Sequence, residues 1–442
     1  MQSRRTFLIL SASAGALLAI GAPVLAKGGV QAQHATAITE VFGNGPRLTG
    51  VAVEYDSPVT SAELTANDFH VEGRTVTGVF ASTSSDPADR TAIGRFVIVT
   101  LSPEDTDASL SPKMHGPGGG MKPPGGSGFG KPNSHGAGGM GKAGSRPGGM
   151  GMAYRTAEAT IGLPDGKTMV TSTVRNLIVD EFQQLEFHDS KTGETLKYNL
   201  FVPRHYDPTR SYPLVLFMHD ASVTGDRPRA TLLQGLGAIA WASPEDQARR
   251  PAFVLAPQYA EIIADDDFQT SMLDTTINLV NALAVEYNID RKRLYTTGQS
   301  GGCMMSIAMD IKYPDFFAAS FLVAGQWDPA LVKLLAGQKL WVLVSQDDNK
   351  AFPGQNAIMD VLEKEGAKIS RAVWDGTWNA EQFRAAFEKI DAEGSPINYV
   401  TFSPGSVIPA GESAAGASGH MNTWRIAYAV EPIREWVFRQ HK

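Results

Sequence analysis

Short apolar runs alternate with segments of helical periodicity through the second half of the chain. Runs such as YPLVLFMHD and AFVLAPQY are continuous, as expected of strands that are buried on both faces of a parallel sheet. Between them, apolar residues recur at helical spacing from Leu273 to Leu283 and predict a crossover helix. This alternation predicts an α/β domain with a mostly parallel sheet over residues 182–442. Its active site should lie outside the carboxyl ends of the strands.

The first half of the chain has a different pattern. Runs rich in β-branched residues, such as RLTGVAVEYDSPV and IGRFVIVTLS, follow one another at close spacing with turn residues between them. The pattern predicts a small all-β sandwich over residues 38–180. With 442 residues, of which 43% are apolar, the chain is long enough for two or three domains and for a large core.

A segment of unusual composition interrupts the predicted β domain at about residues 108–156. From Pro112 to Met152, 16 glycines and 6 prolines occupy 41 positions. Such a segment has too little apolar surface to offset the entropy lost on ordering, so we predict a disordered insertion in a loop of the β domain. Its methionines, histidines and lysines leave copper or a polyanion open as partners, although a solvated linker is the simpler interpretation.

The N-terminal residues are typical of an export signal. Arg4 and Arg5 precede an apolar stretch that leads to the small residue Ala26. A charged region, an apolar region and a small-residue cleavage site predict a signal peptide over residues 1–26. The twin arginines resemble those of a Tat signal, so we expect a periplasmic or secreted protein. A Sec signal or a retained anchor is the alternative.

Charge and cysteine content narrow the classes of partner. The net charge is −7, so the chain has no excess of basic residues of the kind typical of proteins that bind nucleic acid or anionic membranes. Cys303 is the single cysteine, so no intramolecular disulfide can form and the core must stabilise the exported protein. After Ala26 no apolar run is long enough for a membrane span, so we expect no anchor after signal cleavage. We expect no cofactor and no metal site, and the oligomeric state stays open.

The residues from Gly298 to Gly302 fit the pattern Gly-x-Ser-x-Gly in the context that the pattern requires. A predicted strand, RLYTT, precedes them, and a predicted helix, CMMSIAMDIKY, follows them. A strand-to-helix turn this tight strains the serine backbone and admits only small flanking residues. The hydroxyl of Ser300 then stands clear at a helix N-terminus, which favours developing negative charge. Ser300 is therefore the candidate nucleophile, with an ordinary glycine turn as the alternative.

A serine hydroxyl needs a base to take its proton. In folds with this turn, an acid and then a histidine follow the serine along the chain. Of the nine histidines only His420 and His441 follow Ser300, and His441 is the penultimate residue. His420 lies in ASGHMNTW, which we predict to be a loop between the last strand and the closing helix. It is the candidate base.

The acid should follow the predicted strand KLWVLVSQ, where Asp347 and Asp348 are adjacent. A carboxylate there would fix the tautomer of the imidazole and stabilise the imidazolium ion. We favour Asp348, with Asp347 as the alternative, since one of two adjacent aspartates could serve only to cap a turn. Asp328, after the preceding strand, is the fallback.

Backbone N–H groups must stabilise the tetrahedral oxygen, and each such donor is worth about 3 kcal/mol. One is expected from Gly301, directly after the nucleophile. The other is expected at Asp220 or Ala221, in the loop that follows YPLVLFMHD. His219 precedes Ser300 and therefore has the wrong chain order for the base, so we predict that it holds this loop.

Three tryptophans lie near predicted strand ends or beside the candidate base: Trp327, Trp374 and Trp424. We predict that Trp327 and Trp424 bind the substrate by forming the floor of an apolar pocket, with core packing as an equally good interpretation. Cys303, on the predicted helix after the nucleophile, is expected to be a buried and unreactive thiol.

Five blocks within residues 182–442 resemble, in the same order, the secreted bacterial α/β-hydrolase esterases related to polyhydroxybutyrate depolymerases and prolyl-oligopeptidase-type hydrolases. They are YNLFVPRHYDPTRSYPLVLFMHD, FVLAPQY, LYTTGQSGG, VSQDDNKAFPG and GHMNTW. The β-rich N-terminal segment is similar to the immunoglobulin-like domain of some of these esterases. The resemblance implies an α/β-hydrolase fold and a carboxylesterase acting on small or polymeric esters. It implies Ser300 as nucleophile, Asp348 as acid and His420 as base.

Two features depart from the family pattern. Asp220 follows His219 where His-Gly is usual, which puts a side chain next to the second predicted oxyanion donor. The Gly/Pro/Met-rich insertion is also foreign to the pattern. Two other functions stay open at this point: a serine peptidase of the same fold, because the same triad can protonate an amine leaving group, and a non-catalytic polymer-binding protein.

Overall fold

The computed structural model describes residues 29–111 and 154–442. The predicted signal peptide and most of the predicted Gly/Pro/Met-rich insertion lie outside the described residues, so both stay predictions. The two edges of the gap lie side by side, because the N–H of Arg155 donates to the carbonyl of Leu110 over 2.8 Å. Both edges belong to the N-terminal domain.

The N-terminal domain consists of two small sheets. Its strands are β1 (Ala32–Phe42), β2 (Gly45–Thr60), β3 (His70–Val71), β4 (Val76–Ser82), β5 (Ile93–Leu101), β6 (Thr160–Gly162), β7 (Thr168–Val170) and β8 (Thr173–Asn176). The larger sheet has the order β4-β5-β2-β1-β8, and the smaller has the order β3-β6-β7. Strand β8 joins β1 in parallel, whereas the other neighbours are antiparallel. Strand β1 begins ahead of the predicted start of the domain at residue 38.

Alternating side chains build the core of this domain. On β2, Val51 and Val53 are buried in the main cluster between the sheets, while Ala52 lies in a separate small cluster on the other face. Val97 and Ile98 on β5 divide in the same way. Successive residues of a strand point to opposite faces, which explains the division. The prediction of an all-β sandwich is confirmed.

The C-terminal domain is built on a nine-stranded sheet. Its strands are β9 (Gln183–His188), β10 (Thr195–Phe201), β11 (Tyr212–Met218), β12 (Phe253–Gln258), β15 (Ile289–Gln299), β16 (Ala319–Val323), β17 (Leu340–Ser345), β18 (Ile369–Trp374) and β19 (Ile397–Phe402). A separate hairpin consists of β13 (Ala264–Asp265) and β14 (Phe268–Gln269). The sheet order is β18-β19-β17-β16-β15-β11-β12-β10-β9. Neighbours from β18 to β12 are parallel, and β10 and β9 are antiparallel to theirs.

Helices cover both faces of this sheet. They are α1 (Ala230–Leu233), α2 (Leu236–Ala242), α3 (Pro244–Arg249), α4 (Met272–Glu286), α5 (Gly301–Lys312), α6 (Ala351–Lys364), α7 (Ala380–Asp391), α8 (Ser418–Ala427) and α9 (Glu431–Phe438). On β11, Leu214 and Leu216 face the core formed with α4, α5 and α6, whereas Val215 and Phe217 face the core formed with α2, α7, α8 and α9. The predicted α/β domain with a mostly parallel sheet is confirmed. Among the described residues, no helix combines the length and apolarity needed to cross a membrane.

Helix α8 and strand β18 of this domain differ from the prediction. His420 lies in the first turn of α8 and not in a loop. Gly419 and Asn422 weaken the local helix signal, and burial of Trp424 against the core stabilises the helix instead. Strand β18 was missed because it is an edge strand whose exposed and buried residues alternate, so it lacks the continuous apolar run of the central strands.

Candidate active site

Ser300 occupies the turn between β15 and α5. Its φ of 52° and ψ of −118° are rare for a residue with a side chain and cost about 1–3 kcal/mol. The backbone N–H of Ser300 donates to the carbonyl of Val323 at the end of β16 over 3.0 Å, which helps to hold the turn. The serine therefore has the strained strand–turn–helix geometry that its sequence pattern predicts.

Two glycines make this turn possible. A Cβ on Gly298 would lie 2.3 Å from the backbone of Gly302. A Cβ on Gly302 would lie 1.9 Å from the carbonyl oxygen of Met218, the last residue of β11. No side chain fits at either distance, so β15, α5 and β11 can meet this closely only with glycine at both positions.

The structure brings His420 to the candidate nucleophile. Its Nε2 atom lies 2.8 Å from Ser300 Oγ, and its Nδ1 atom is hydrogen-bonded to Asp348 Oδ2. A carboxylate can only accept, so Nδ1 carries the proton and Nε2 is left free to accept a hydrogen bond from the serine hydroxyl. Three side chains from different elements thus form one hydrogen-bonded chain.

Asp348 follows β17 and is buried. Its Oδ1 atom accepts the backbone N–H groups of Lys350 at 3.1 Å and Ala351 at 2.8 Å. Burial raises the pKa of Asp348, but the hydrogen bond and charge of His420 and these two amides together bring the pKa below its ordinary value. Asp348 is therefore a carboxylate wherever the imidazole can act as a base.

The other two candidate carboxylates have different partners. Asp347 accepts the N–H of Gly405 at 2.6 Å through Oδ2, and its Cβ packs against Gly419. Asp328 caps a short 3₁₀ turn and accepts the N–H of Ala330 at 2.8 Å. Of the three aspartates considered from the sequence, Asp348 is the one that the fold places on His420.

Two backbone amides lie beside Ser300. Gly301 is the first residue of α5, and Ala221 is the first residue of a 3₁₀ turn over Ala221–Val223, so neither N–H has an acceptor within its own helix. The nitrogen of Ala221 lies 3.6 Å from the position that a Cβ on Gly301 would occupy. The two amides are therefore neighbours, as a pair of donors to a single oxygen atom must be.

The side chain of Asp220 is held by hydrogen bonds inside the protein. Its Oδ1 atom accepts the N–H of Ser222 at 2.7 Å, and its Oδ2 atom accepts a hydrogen bond from Gln299 Nε2 at 2.9 Å. Gln299 also donates to Gln234 Oε1 over 3.1 Å. Gln299 was not predicted from the sequence, although a polar residue at the buried end of a strand is a signal for such a role.

His219 holds the same loop from the other side. Its Nε2 atom accepts the N–H of Tyr259 at 3.0 Å, so Nδ1 carries the proton and donates to the carbonyl of Asp220 at 2.7 Å. Burial lowers the pKa of His219, which keeps the ring neutral. His219 thus fastens the loop to the end of β12.

The three tryptophans have different environments. Trp327 is 3% exposed and belongs to the core around α5, and Trp374 is buried in the opposite core. Trp424, 9% exposed, presents its ring at 89° to the ring of His420, with centroids 5.0 Å apart. It therefore packs against the imidazole, whereas Trp327 has little surface left for a ligand. Binding of substrate by either ring stays a prediction.

Two further features bear on reactivity. Cys303 on α5 is fully buried, and burial raises the pKa of its thiol, so it is inert as a nucleophile. Within residues 29–111 and 154–442, no group of three or more His, Cys, Asp or Glu side chains is placed to hold a metal ion. The hydrogen-bonded chain of Asp348, His420 and Ser300 is suited to transfer of an acyl group to the serine.

Both domains of this chain are similar to parts of known esterases. Residues 34–161 match the family model described as the esterase Ig-like N-terminal domain. The crystal structure of a thermostable esterase has a TM-score of 0.71 to this chain at 24% identity, and the match covers 93% of this chain and 100% of that one. The chain has the α/β-hydrolase fold. The expected arrangement of an Ig-like domain before an α/β-hydrolase domain is confirmed.

A curated relative shares a shorter segment with this chain. Acetylxylan esterase A from Emericella nidulans is 44% identical over 55 residues, which are 12% of this chain and 16% of that protein. The similarity is local, because five sixths or so of the relative lie outside it. It adds a second esterase to the proteins that this chain resembles.

Proposed function

We propose that this α/β-hydrolase is an exported serine carboxylesterase that acts through an acyl-enzyme. The observation that carries the proposal is the hydrogen-bonded chain from Asp348 through His420 to Ser300, which lies next to the amides of Gly301 and Ala221. The esterase-type Ig-like domain supports an ester as the substrate in preference to a peptide. The twin-arginine leader supports export.

In the acylation step, Ser300 Oγ attacks the carbonyl carbon of the ester while His420 Nε2 takes the hydroxyl proton. The electron pair of the C=O bond moves to the oxygen, and the N–H groups of Gly301 and Ala221 stabilise the resulting oxyanion. When the carbonyl re-forms, the bond to the alcohol oxygen breaks. The imidazolium gives its proton to that oxygen, and the alcohol leaves.

In the deacylation step, water repeats the sequence in place of the serine. His420 Nε2 takes a proton from water, and the hydroxide attacks the acyl-enzyme to form a second oxyanion. Collapse of this intermediate breaks the bond to Ser300 Oγ, which recovers its proton from the imidazolium, and the carboxylic acid leaves. Asp348, ionised and bonded to Nδ1, stabilises the positive charge on the ring in both steps.

The experiment that tests the proposal is replacement of the nucleophile. We expect Ser300→Ala to lower kcat for p-nitrophenyl acetate by about 10⁴-fold or more, because the substitution removes the hydroxyl that forms the acyl-enzyme. A fluorophosphonate should label the wild-type protein at Ser300 and fail to label the variant. The melting temperature should stay close to that of wild type, and Ser413→Ala, in an exposed loop, should be fully active.

Undiminished ester hydrolysis by Ser300→Ala would overturn the assignment. Faster cleavage of peptide anilides than of any ester would favour the peptidase, and an unlabelled, inactive wild-type protein would favour a binding function. A panel of p-nitrophenyl esters of increasing acyl length, run beside acetylated xylan and an aliphatic polyester, would then define the substrate. Acetylated xylan is included because one similar protein is named an acetylxylan esterase.

A further inference from the structure

A buried side-chain hydrogen bond joins the two segments that carry the oxyanion amides. Asp220 directly precedes Ala221, and Gln299 directly precedes Ser300. Gln299 Nε2 donates to Asp220 Oδ2 over 2.9 Å, and the exposed fractions of the two residues are 0% and 5%. The bond therefore links the end of β15 to the loop after β11 without competition from water.

The peptide group between Asp220 and Ala221 has its orientation fixed by several contacts. Its carbonyl oxygen and its N–H belong to one planar trans unit, so they point in opposite directions. His219 donates to the carbonyl at 2.7 Å, and Asp220 Oδ1 accepts the N–H of Ser222 at 2.7 Å. With the carbonyl and the side chain held, the N–H of Ala221 is directed to one place.

We propose that Asp220 is a positioning residue for the oxyanion hole. Through Gln299 it keeps the N–H of Ala221 in register with Ser300 and with the N–H of Gly301, so that both donors meet the same oxygen atom. The inference rests on the proposed esterase function and adds a residue to it. The side chain found in place of the usual glycine thus anchors the second donor through a tertiary hydrogen bond.

Two electrostatic effects oppose each other at Asp220. A carboxylate behind the oxyanion hole repels the negative charge that develops there, which disfavours the transition state. Orientation of the Ala221 amide favours it, since each well-directed donor is worth about 3 kcal/mol. If orientation dominates, loss of the side chain should slow the reaction, whereas loss of the charge alone should not.

Two substitutions at Asp220 separate these effects. Asp220→Asn keeps an oxygen for the N–H of Ser222, and its amide can pair with Gln299 once the amides of Gln299 and Gln234 both rotate, so we expect kcat within about threefold of wild type. Asp220→Ala removes both bonds, and we expect kcat for p-nitrophenyl acetate to fall at least tenfold with KM within about twofold. A purely structural role for Asp220 would not lower kcat per site while leaving KM nearly unchanged.

Asp375→Ala is the matched control. Asp375 follows the parallel strand β18 and accepts the N–H of Thr377 at 2.8 Å, the same bond over two residues that Asp220 makes to Ser222. Its substitution should leave kcat unchanged. Fluorophosphonate titration gives the fraction of folded sites in every sample, and kcat is expressed per titrated site.

Wild-type kcat per site in Asp220→Ala would overturn the positioning role, and so would an equal fall in Asp375→Ala. A further variant, Gln299→Met, tests the bond from its other end and should lower kcat about as much as Asp220→Ala does. The double variant should show little additional loss, because both changes break one interaction; fully additive losses would contradict the inference. These outcomes are separable from the proposed function, which Ser300→Ala tests independently.

Discussion

At the scale of single residues, the two adjacent aspartates after β17 carry the same carboxylate but have different hydrogen-bond partners. Asp348 Oδ2 is bonded to the imidazole of His420, while Asp347 Oδ2 accepts the N–H of Gly405. The backbone turns at this point, since the N–H of Asp348 donates to the carbonyl of Ser345 at 3.0 Å, and of the two side chains it is Asp348 that reaches the histidine. The sequence narrowed the candidates for the acid to this pair, and the contacts of the folded protein show which of the two is bonded to His420.

We expect Asp348→Asn to lower kcat for a p-nitrophenyl ester by about 10³- to 10⁴-fold, because an amide cannot stabilise the imidazolium and favours the wrong tautomer of His420. Asp347→Asn keeps an oxygen for Gly405 and should stay within about threefold of wild type. Steady-state kinetics on both variants check the prediction. The reverse order of activities would assign the acid to Asp347.

At the scale of elements, helix α5 has the candidate nucleophile at its N-terminus and a buried acid near its other end. Asp310 is 1% exposed. Burial raises its pKa to about 7, and the nearby Ser320 hydroxyl offsets only part of the rise. In the unfolded chain the pKa would be near 3.8. The folded state therefore favours the protonated acid, and its stabilising contribution is complete below about pH 4.

This contribution should be lost as the pH rises from about 4 through about 7, because the folded protein must then either keep a proton or bury a charge. We expect Asp310→Asn, which resembles the protonated acid, to raise the free energy of unfolding at pH 8 by a few kcal/mol. At pH 4 it should change little. Urea unfolding at both pH values measures the difference. Asp360→Asn, on the exposed face of α6, is the control.

A stabilisation by Asp310→Asn of equal size at pH 4 and pH 8 would contradict this explanation. It would indicate that the asparagine packs better than the aspartate in either form. A loss of stability at pH 8 would show that the ionised carboxylate is accommodated in the folded protein.

At the scale of the whole molecule, a turn of the Ig-like domain touches the helix that carries the candidate base. Gly43, between β1 and β2, lies so close to α8 that a Cβ on it would be 2.2 Å from the carbonyl oxygen of Arg425. The carbonyl of Gly43 also lies 3.1 Å from the position of a Cβ on Gly235, next to Gln234. The N-terminal domain therefore contacts α8, which carries His420, and the segment next to Gln234, which is hydrogen-bonded to Gln299.

We expect Gly43→Ala to lower kcat about tenfold, because the new methyl group must displace either the turn or α8, and small displacements of a catalytic group are costly. The melting temperature should fall with it. Gly162→Ala, in the same domain, meets its nearest neighbour at 3.6 Å and should have no effect on either quantity. Wild-type kcat together with a lower melting temperature would show that the turn yields and α8 does not.

The elements that the sequence predicted best are those with a strong local signal. The continuous apolar runs of β11, β12 and β17 and the helical spacing in α4 were all found. Strand β18 and helix α8 were missed because their residues have mixed polarity and weak propensity, and contacts with the rest of the domain stabilise them. Gln299 was missed because its partner, Asp220, is distant in sequence.

The sequence by itself determined the α/β-hydrolase architecture, the position of the tight turn at Ser300 and a short list of candidates for the base and the acid. Periodicity, glycine spacing and the order of residues along the chain can all be read from the sequence directly. Only the tertiary structure decided which aspartate meets His420 and where the side chain of Asp220 goes. Those outcomes depend on distances between segments far apart in the chain. Such distances follow from how the sheet and its helices pack, which no single stretch of residues encodes.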